Sequence, residues 1–282
     1  MGTVIHPRVQ EELLLCQRSF LHFCRWLKIV DKSAGDEHSN SPKLVSLRPN
    51  FAQLKWLDAG ERCPWTYTLK SRKEGLSTII AARYFWRAFL NPEHKVLVVS
   101  ETDETAMEIF EIYKRYWRNL PEAFREAIPA IQEDKHTLKW VHEGEVSCRT
   151  QGGSFRGGTR QSLHFSEFAF YPDIDRTISD AFSVAADYAE VALETTSGGI
   201  NRAHQLWVDD GPYEKIFIPW AINPGNTLDE YECSMVPELR ERFDAWCDGH
   251  ALSFEQRNWA RSRLMMMCGG QWLVFMRNYP LT

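Results

Sequence analysis

The chain has 282 residues, 44% of them hydrophobic and 25% charged, which is the balance of an ordinary soluble globular protein of one large domain or two small ones. A net charge of −5 excludes a surface coated in basic side chains, so any contact with nucleic acid must come from local patches. Seven cysteines, an odd number with no Cys-x-x-Cys pair, exclude a disulfide framework or zinc site and point to a reducing, intracellular setting. The N-terminal apolar run Leu13–Cys16 is too short for a signal-peptide core, and nothing later approaches a membrane span.

Residues 8–30 carry Leu13, Leu14, Cys16, Phe20, Phe23, Cys24 and Leu27 at helical spacing, which predicts a helix, followed by a polar loop over 31–42. Trp65–Leu69, β-branched and aromatic, reads as a buried strand, and a helix is expected from about Ser77 to Leu90, where Asn91-Pro92 stops it. Val96–Val99 is a second strand, and Asp103–Leu120 a helix ended by Pro121. Thr137–Val141 and Glu145–Thr150, joined by Glu143-Gly144, predict a β-hairpin. Gln161–Phe165, Val191–Thr195 and Lys215–Pro219 complete the strands of the central region, while the stretch after Trp220 is polar and helical until a strand-like run at Trp272–Phe275. Strands alternating with helices imply an α/β fold with a mostly parallel sheet, whose ligands bind at the carboxyl ends of the strands.

Four motifs lie at those ends. Between the Trp65 strand and the Ser77 helix runs Lys70-Ser71-Arg72-Lys73-Glu74-Gly75-Leu76-Ser77-Thr78. Cations just ahead of a helix N-terminus make an anion site suited to a nucleotide triphosphate. The usual phosphate loop ends Gly-Lys-[Ser/Thr], whereas here leucine stands in the lysine slot, and taken alone the segment also fits a solvated basic turn. Leu163-His164-Phe165-Ser166-Glu167 is an apolar strand ending in a hydroxyl and a carboxylate. P-loop ATPases end the corresponding strand Asp-Glu, the aspartate organising Mg²⁺ and the glutamate activating water; Ser166 replaces that aspartate. An isolated Ser-Glu equally fits a solvated strand end. Glu194-Thr195-Thr196-Ser197-Gly198-Gly199 ends another strand in hydroxyls able to hydrogen-bond a γ-phosphate, or in a flexible turn capping the next helix. Gly152-Gly153-Ser154-Phe155-Arg156-Gly157-Gly158 is a glycine-rich loop that can swing a guanidinium toward phosphate, or a plain surface hairpin.

In this order and spacing the motifs resemble the ATPase domain of the large terminase subunit of tailed bacteriophages, the motor that packages DNA, over nearly the whole chain. Arg48-Pro49-Asn50-Phe51-Ala52-Gln53 resembles the family's adenine-reading segment, with Gln53 at the base edge. Lys70–Thr78 resembles its deviant Walker A loop, with the lysine displaced to the front as Lys70. Ser166-Glu167 resembles the variant Walker B ending, Glu194–Gly199 the coupling motif, and Phe217-Ile218-Pro219-Trp220 the strand after it. Tyr279–Thr282 resembles the junction before the family's nuclease domain, so a motor domain without nuclease activity is expected.

The resemblance implies a P-loop NTPase fold of the ASCE or RecA-like kind. It implies an N-terminal helical segment with the adenine motif over 1–60, an ATPase core over 61–220, and a helical lid or linker over 221–282. ATP would meet Gln53, Lys70, Ser71, Arg72, Lys73, Gly75, Ser77 and Thr78, with Mg²⁺ held by Ser77 or Thr78 and, through water, Ser166. Glu167 would activate water, Thr196 would couple, and Arg156 in trans or Arg72 in cis would neutralise the transferring phosphoryl group. The implied partners are double-stranded DNA, the portal protein, the small terminase subunit and further copies in a ring, of five by family analogy. The implied place is the cytoplasm of the infected bacterial host, docked on the procapsid portal, with no membrane contact. Arg257, Arg261 and Arg263, or Lys114, Arg115 and Arg118, form basic helical faces that either grip DNA or are ordinary solvation. Two rival readings are a helicase-like DNA-dependent ATPase, which should show further nucleic-acid motifs after the coupling segment, and a non-hydrolysing scaffold relative, against which Glu167 argues.

Overall fold

The computed structural model describes residues 6–35, 42–153, 155 and 158–281. The chain opens with α1 (Pro7–Arg18) and α2 (Phe20–Cys24), then β1 (Lys28–Gly35), β2 (Pro42–Ser46) and α3 (Phe51–Arg62). The core continues through β3 (Trp65–Lys70), α4 (Leu76–Leu90), β4 (Lys95–Ser100), α5 (Asp103–Arg118), α6 (Glu122–Ala127), β5 (Ala130–Glu133), β6 (Thr137–Trp140) and β7 (Glu145–Thr150). It closes with β8 (Arg160–Ser166), α7 (Ile174–Phe182), β9 (Ala185–Thr195), α8 (Arg202–Val208) and β10 (Glu214–Ile218), before α9 (Pro237–Gly249), α10 (Phe254–Ser262) and α11 (Trp272–Asn278).

Eight strands form one sheet in the order β10-β3-β9-β8-β4-β7-β6-β5. The first six are parallel, and β7, β6 and β5 run antiparallel in turn. The expected hairpin is therefore β6–β7, and the expected mostly parallel sheet is present. β9, the later strand, inserts between β3 and β8, which places the carboxyl ends of those three strands side by side.

Successive side chains of a strand point to opposite faces, and here both faces are covered. Val96, Val98, Ala192, Ile216 and Ile218 face a core shared with α1 to α5, in which α4 is apolar nearly all round. Tyr67, Leu97, Val99, Leu163, Phe165, Val191 and Leu193 face a second core with Phe168, Ile174 and Ala203. A third cluster, built from Trp220, Phe243, Cys247, Trp259, Leu264, Phe275 and Tyr279, belongs to the C-terminal helices.

Three expectations need correction. The helix over 8–30 is broken, because Ser19 is extended and its side chain caps α2 by accepting from His22 N, and residues 28–35 pair as β1 with β2 in a hairpin where a loop was expected. The apolar run Trp272–Phe275 lies in α11, where Trp272 and Phe275 pack against Trp246. On the two basic helical faces, Arg257 meets Asp248 at 2.7 Å, Arg261 meets Asp244 at 3.9 Å, and Arg118 meets Glu133 at 2.7 Å. Lys114 is buried and pairs with Glu111 at 2.8 Å. All seven cysteines are free, as a chain without a disulfide framework requires.

Trp140 sits in a cage of Phe85, Phe89 and Trp117 at ring distances of 5.6, 5.7 and 6.0 Å. Trp140→Ala should cost about 3–5 kcal/mol in urea unfolding. Trp140→Phe should cost less than half as much, because the buried indole N–H it removes has no hydrogen-bond partner. Equal losses in the two variants would mean that the cage does not hold the ring as described.

Candidate active site

The alternation of β3 puts Thr66, Thr68 and Lys70 on the face opposite Tyr67; that of β9 puts Glu194 with Ala192, and that of β8 puts His164 and Ser166 opposite Leu163 and Phe165. All therefore point to the face that α4 covers. Register makes this a row across the sheet, with Thr68 opposite Glu194 and Glu194 opposite Ser166.

Glu194, wholly buried, is the hub of that row. Its Oε1 accepts from Ser166 Oγ at 3.1 Å and from His164 Nε2 at 3.2 Å, while Oε2 lies 3.5 Å from Lys70 Nζ and makes no hydrogen bond. Because a carboxylate only accepts, His164 Nε2 carries the proton in that bond. Ser77, in the first turn of α4, lies close enough to lower the Glu194 pKa further. Burial pushes the Glu194 carboxyl up, but the Lys70 ammonium, His164 and Ser77 outweigh it and hold the pKa at about 2. Burial likewise pushes Lys70 down, and Glu194 and Glu167 together more than reverse it, so the lysine stays charged.

Glu167 lies just beyond β8 in the left-handed region, at φ 53°, a conformation unusual for a residue with a side chain. The kink turns its half-exposed carboxylate along the strand ends. Oε1 sits 3.1 Å from Lys70 Nζ, and Oε2 accepts from both the backbone N–H and the hydroxyl of Thr196 at 3.2 Å. The turns after β8 and β9 are stitched together further: Thr195 Oγ1 accepts from Ala169 N at 3.1 Å, and Asn201 donates to Ala169 O at 2.7 Å.

The loop 71–75 is fixed from two sides. Gly75, at φ 72°, caps α4, and a side chain there would strike the Gln53 amide at 2.8 Å. Gln53 supports the loop through its amide: Oε1 accepts from Asn50 N and Nε2 donates to Gly75 O at 2.8 Å, Asn50 and Gln53 closing the capping box of α3. From the C-terminal side, Ser71 donates its N–H to Ile218 O and its hydroxyl to Pro280 O, and Arg72 N–H donates to Asn278 O. Glu74, 2% exposed, accepts from Asn223 at 3.0 Å and Asn226 at 2.9 Å, and burial raises its pKa. Arg72 and Lys73 are exposed, and Ser77 and Thr78 are half-buried at the start of α4.

The expected residues Lys70, Ser77, Ser166, Glu167 and Thr196 thus converge, while Gln53 and Ser71 serve as supports of the loop. Arg156 lies outside the described residues. Glu194, His164 and Glu74 were read as members of their motifs without roles of their own, and Asn223 and Asn226 were not anticipated. A signal existed for the first two, since each is an ionisable residue inside an apolar strand run and so needs a buried partner.

The lowered Glu194 pKa has a sign that can be tested. The stability it contributes is present above the ordinary carboxyl value of 4.5 and is lost as pH falls toward about 2. The difference in Tm between the parent and Glu194→Gln should therefore shrink steadily across that window. A difference that stays constant with pH would mean that Glu194 is not held ionised by its neighbours.

Scans of the sequence against protein-family models and curated proteins found no match. Among solved structures, the ATPase domain of the large terminase of Thermus phage P74-26 superposes with a TM-score of 0.52 at 16% identity, covering 82% of this chain and 92% of that one. The large terminase of bacteriophage HK97 superposes with a TM-score of 0.60 at 16% identity, covering 94% of this chain and 54% of that one. This chain therefore spans about half the length of the HK97 protein. At such identities the likeness is one of fold, and the chain has the mostly parallel α/β fold found in those two large terminase structures.

Proposed function

We propose that this chain is the ATP-hydrolysing motor domain of a viral DNA-packaging terminase, coupling hydrolysis to the movement of double-stranded DNA into a procapsid. The observation that carries the reading is the meeting of Lys70, Glu167 and Thr196 at the carboxyl ends of β3, β8 and β9, beside a loop that leads into a helix N-terminus. ATP would rest its phosphates on the Lys70–Thr78 loop, where the N–H groups of the first turn of α4 and the Lys70 ammonium favour negative charge. Lys70 already lies beside two carboxylates, so a phosphate oxygen would exchange for Glu167 as its partner. Glu167, released at Oε1 and still held at Oε2 by Thr196, would orient and deprotonate the attacking water. Loss of the γ-phosphate would then be felt first at Thr196, in the segment that couples the site to the rest of the chain.

Ser166, whose hydroxyl donates to the ionised Glu194 carboxylate, and the hydroxyls of Ser77 and Thr78 in the first turn of α4 are oxygen donors of the kind that suits a hard divalent cation. Mg²⁺ bound with the nucleotide would neutralise charge on the β- and γ-phosphates. The motor would work as a ring, of five copies by analogy with the family, docked on the portal with the small terminase subunit in the cytoplasm of an infected bacterium. No described helix is long and apolar enough to cross a membrane. DNA would be held by its phosphates, without base readout.

A steady-state ATPase assay with and without long duplex DNA should show slow Mg²⁺-dependent turnover that DNA stimulates. Glu167→Gln should keep nucleotide binding and lower turnover by about a hundredfold or more, the scale of a lost general base. Lys70→Ala should be more damaging than Lys73→Ala. No hydrolysis by the parent under any condition, or equal turnover in Glu167→Gln, would overturn the reading.

Arg156 is proposed to act on the ATP of the neighbouring copy. Arginine fingers contribute roughly 10³–10⁵ in rate, so Arg156→Ala should abolish DNA-stimulated hydrolysis while leaving nucleotide binding intact. Mixing it with Glu167→Gln protein should restore part of the activity. If both variants assemble and no ratio restores turnover, Arg72 acting in cis becomes the better candidate.

A further inference from the structure

Ser166 leaves a chemical gap, because the strand end that would bear the metal-organising carboxylate bears only a hydroxyl. The structure has a carboxylate one strand across. Glu194 stands opposite Ser166 in the parallel register of β8 and β9 and accepts from its hydroxyl at 3.1 Å. It is wholly buried, and its Oε2 makes no hydrogen bond, although it lies 3.5 Å from Lys70 Nζ. We infer that Glu194 takes over the metal-organising role that Ser166 cannot fill, holding the hydrated divalent cation that accompanies the nucleotide from β9 instead of β8. The inference rests on the proposed ATPase reading and names a residue outside its expected metal set.

Three features favour this over a purely structural counter-ion for Lys70. Charge is the first: two carboxylates, Glu167 and Glu194, share the single ammonium of Lys70, so the cluster is short of positive charge, and a dication arriving with phosphates that draw Lys70 away would supply it. Orientation is the second. His164 Nε2–H and the Ser166 hydroxyl both bind Oε1, which fixes the carboxylate plane and leaves Oε2 directed at the Lys70 ammonium. Supporting donors of this kind orient metal-binding carboxylates. His164 is itself held against Tyr84 of α4, 6.4 Å between ring centroids, so the support is anchored in the core. The third is economy of position: the Ser166 hydroxyl can bind a water of the hydrated ion while Glu194 provides the charge, which together reproduce what one aspartate would do.

The test is calorimetric titration of ATPγS into the parent, Glu194→Gln and the double variant Ser166→Asp/Glu194→Ser, each in Mg²⁺ and in EDTA. The parent should bind more tightly in Mg²⁺. Glu194→Gln should lose about tenfold or more of that gain, the usual cost of removing a group that orients a metal, while its affinity in EDTA is unchanged or tighter because Lys70 is freed. The double variant, with the carboxylate returned to β8, should recover the gain. A folded Glu194→Gln that keeps the full Mg²⁺ gain overturns the inference and leaves Glu194 as a counter-ion. If Glu194→Gln does not fold, a crystal structure of the parent with Mn²⁺ and ATPγS decides: an ion no more than one water from Glu194 upholds the role, and an ion farther away overturns it. A parent that binds ATPγS in neither condition removes the ATPase reading and this inference together, whereas binding without a role for Glu194 removes only the latter.

Discussion

The placement of β9 between β3 and β8 is the constraint on which the rest of this structure depends. Three strand ends that are far apart in the chain become neighbours only through that insertion, and each brings a charged side chain that none of its sequence neighbours could satisfy. Lys70, Glu194 and Glu167 are consequently interdependent. A buried ion pair adds little net stability over apolar packing, but removing one partner strands the other in a low-dielectric interior at a cost of several kcal/mol. The cluster therefore specifies the strand order as much as the strand order assembles the cluster, since a sheet with β3 directly beside β8 would leave Glu194 without its cation.

The apolar architecture around the cluster explains how it stays in place. α4 is buried on nearly every side, so its N-terminus cannot drift relative to the sheet, and the fully buried Tyr84 and Phe85 fix it laterally. Gly75 can cap that helix only because a left-handed residue without a side chain fits against Gln53. Rigid packing thus ends where the loop begins, and beyond it the contacts are hydrogen bonds that can be exchanged singly.

Much of this was legible from residue order. Continuous apolar runs such as Val96–Val99 and the long apolar stretch before Asn91-Pro92 identify the central strands and α4 because burial on both faces leaves few other uses for such segments. Trp272–Phe275 misled for the same reason, since a four-residue apolar run has no measurable period and only its packing on Trp246 makes it a helix. The break at Ser19 was hidden because apolar spacing continues across it. At the site, Lys70, Ser166 and Glu167 were found from their positions at strand ends. Glu194 was read only as the head of the motif that ends its strand, because its meaning lies in partners on β3 and β8, and linear order says nothing about which strand stands next to which. The capping box that Gln53 closes with Asn50 was not read from the sequence, although Asn and Gln three residues apart before a helix carry its signature.

The C-terminal helices are bonded to the 71–75 loop at both of their ends. The segment leaves the core at Trp220–Asn226, where Asn223 and Asn226 hold Glu74, and comes back at Asn278–Pro280, which accept from Arg72 and Ser71. A body attached at one end swings freely about its tether, whereas one pinned at two nearby points can only tilt about the line between them. The loop and the Phe243–Trp259–Phe275 cluster therefore share a seam, and bending residues 71–74 would strain bonds at both ends of the C-terminal segment at once.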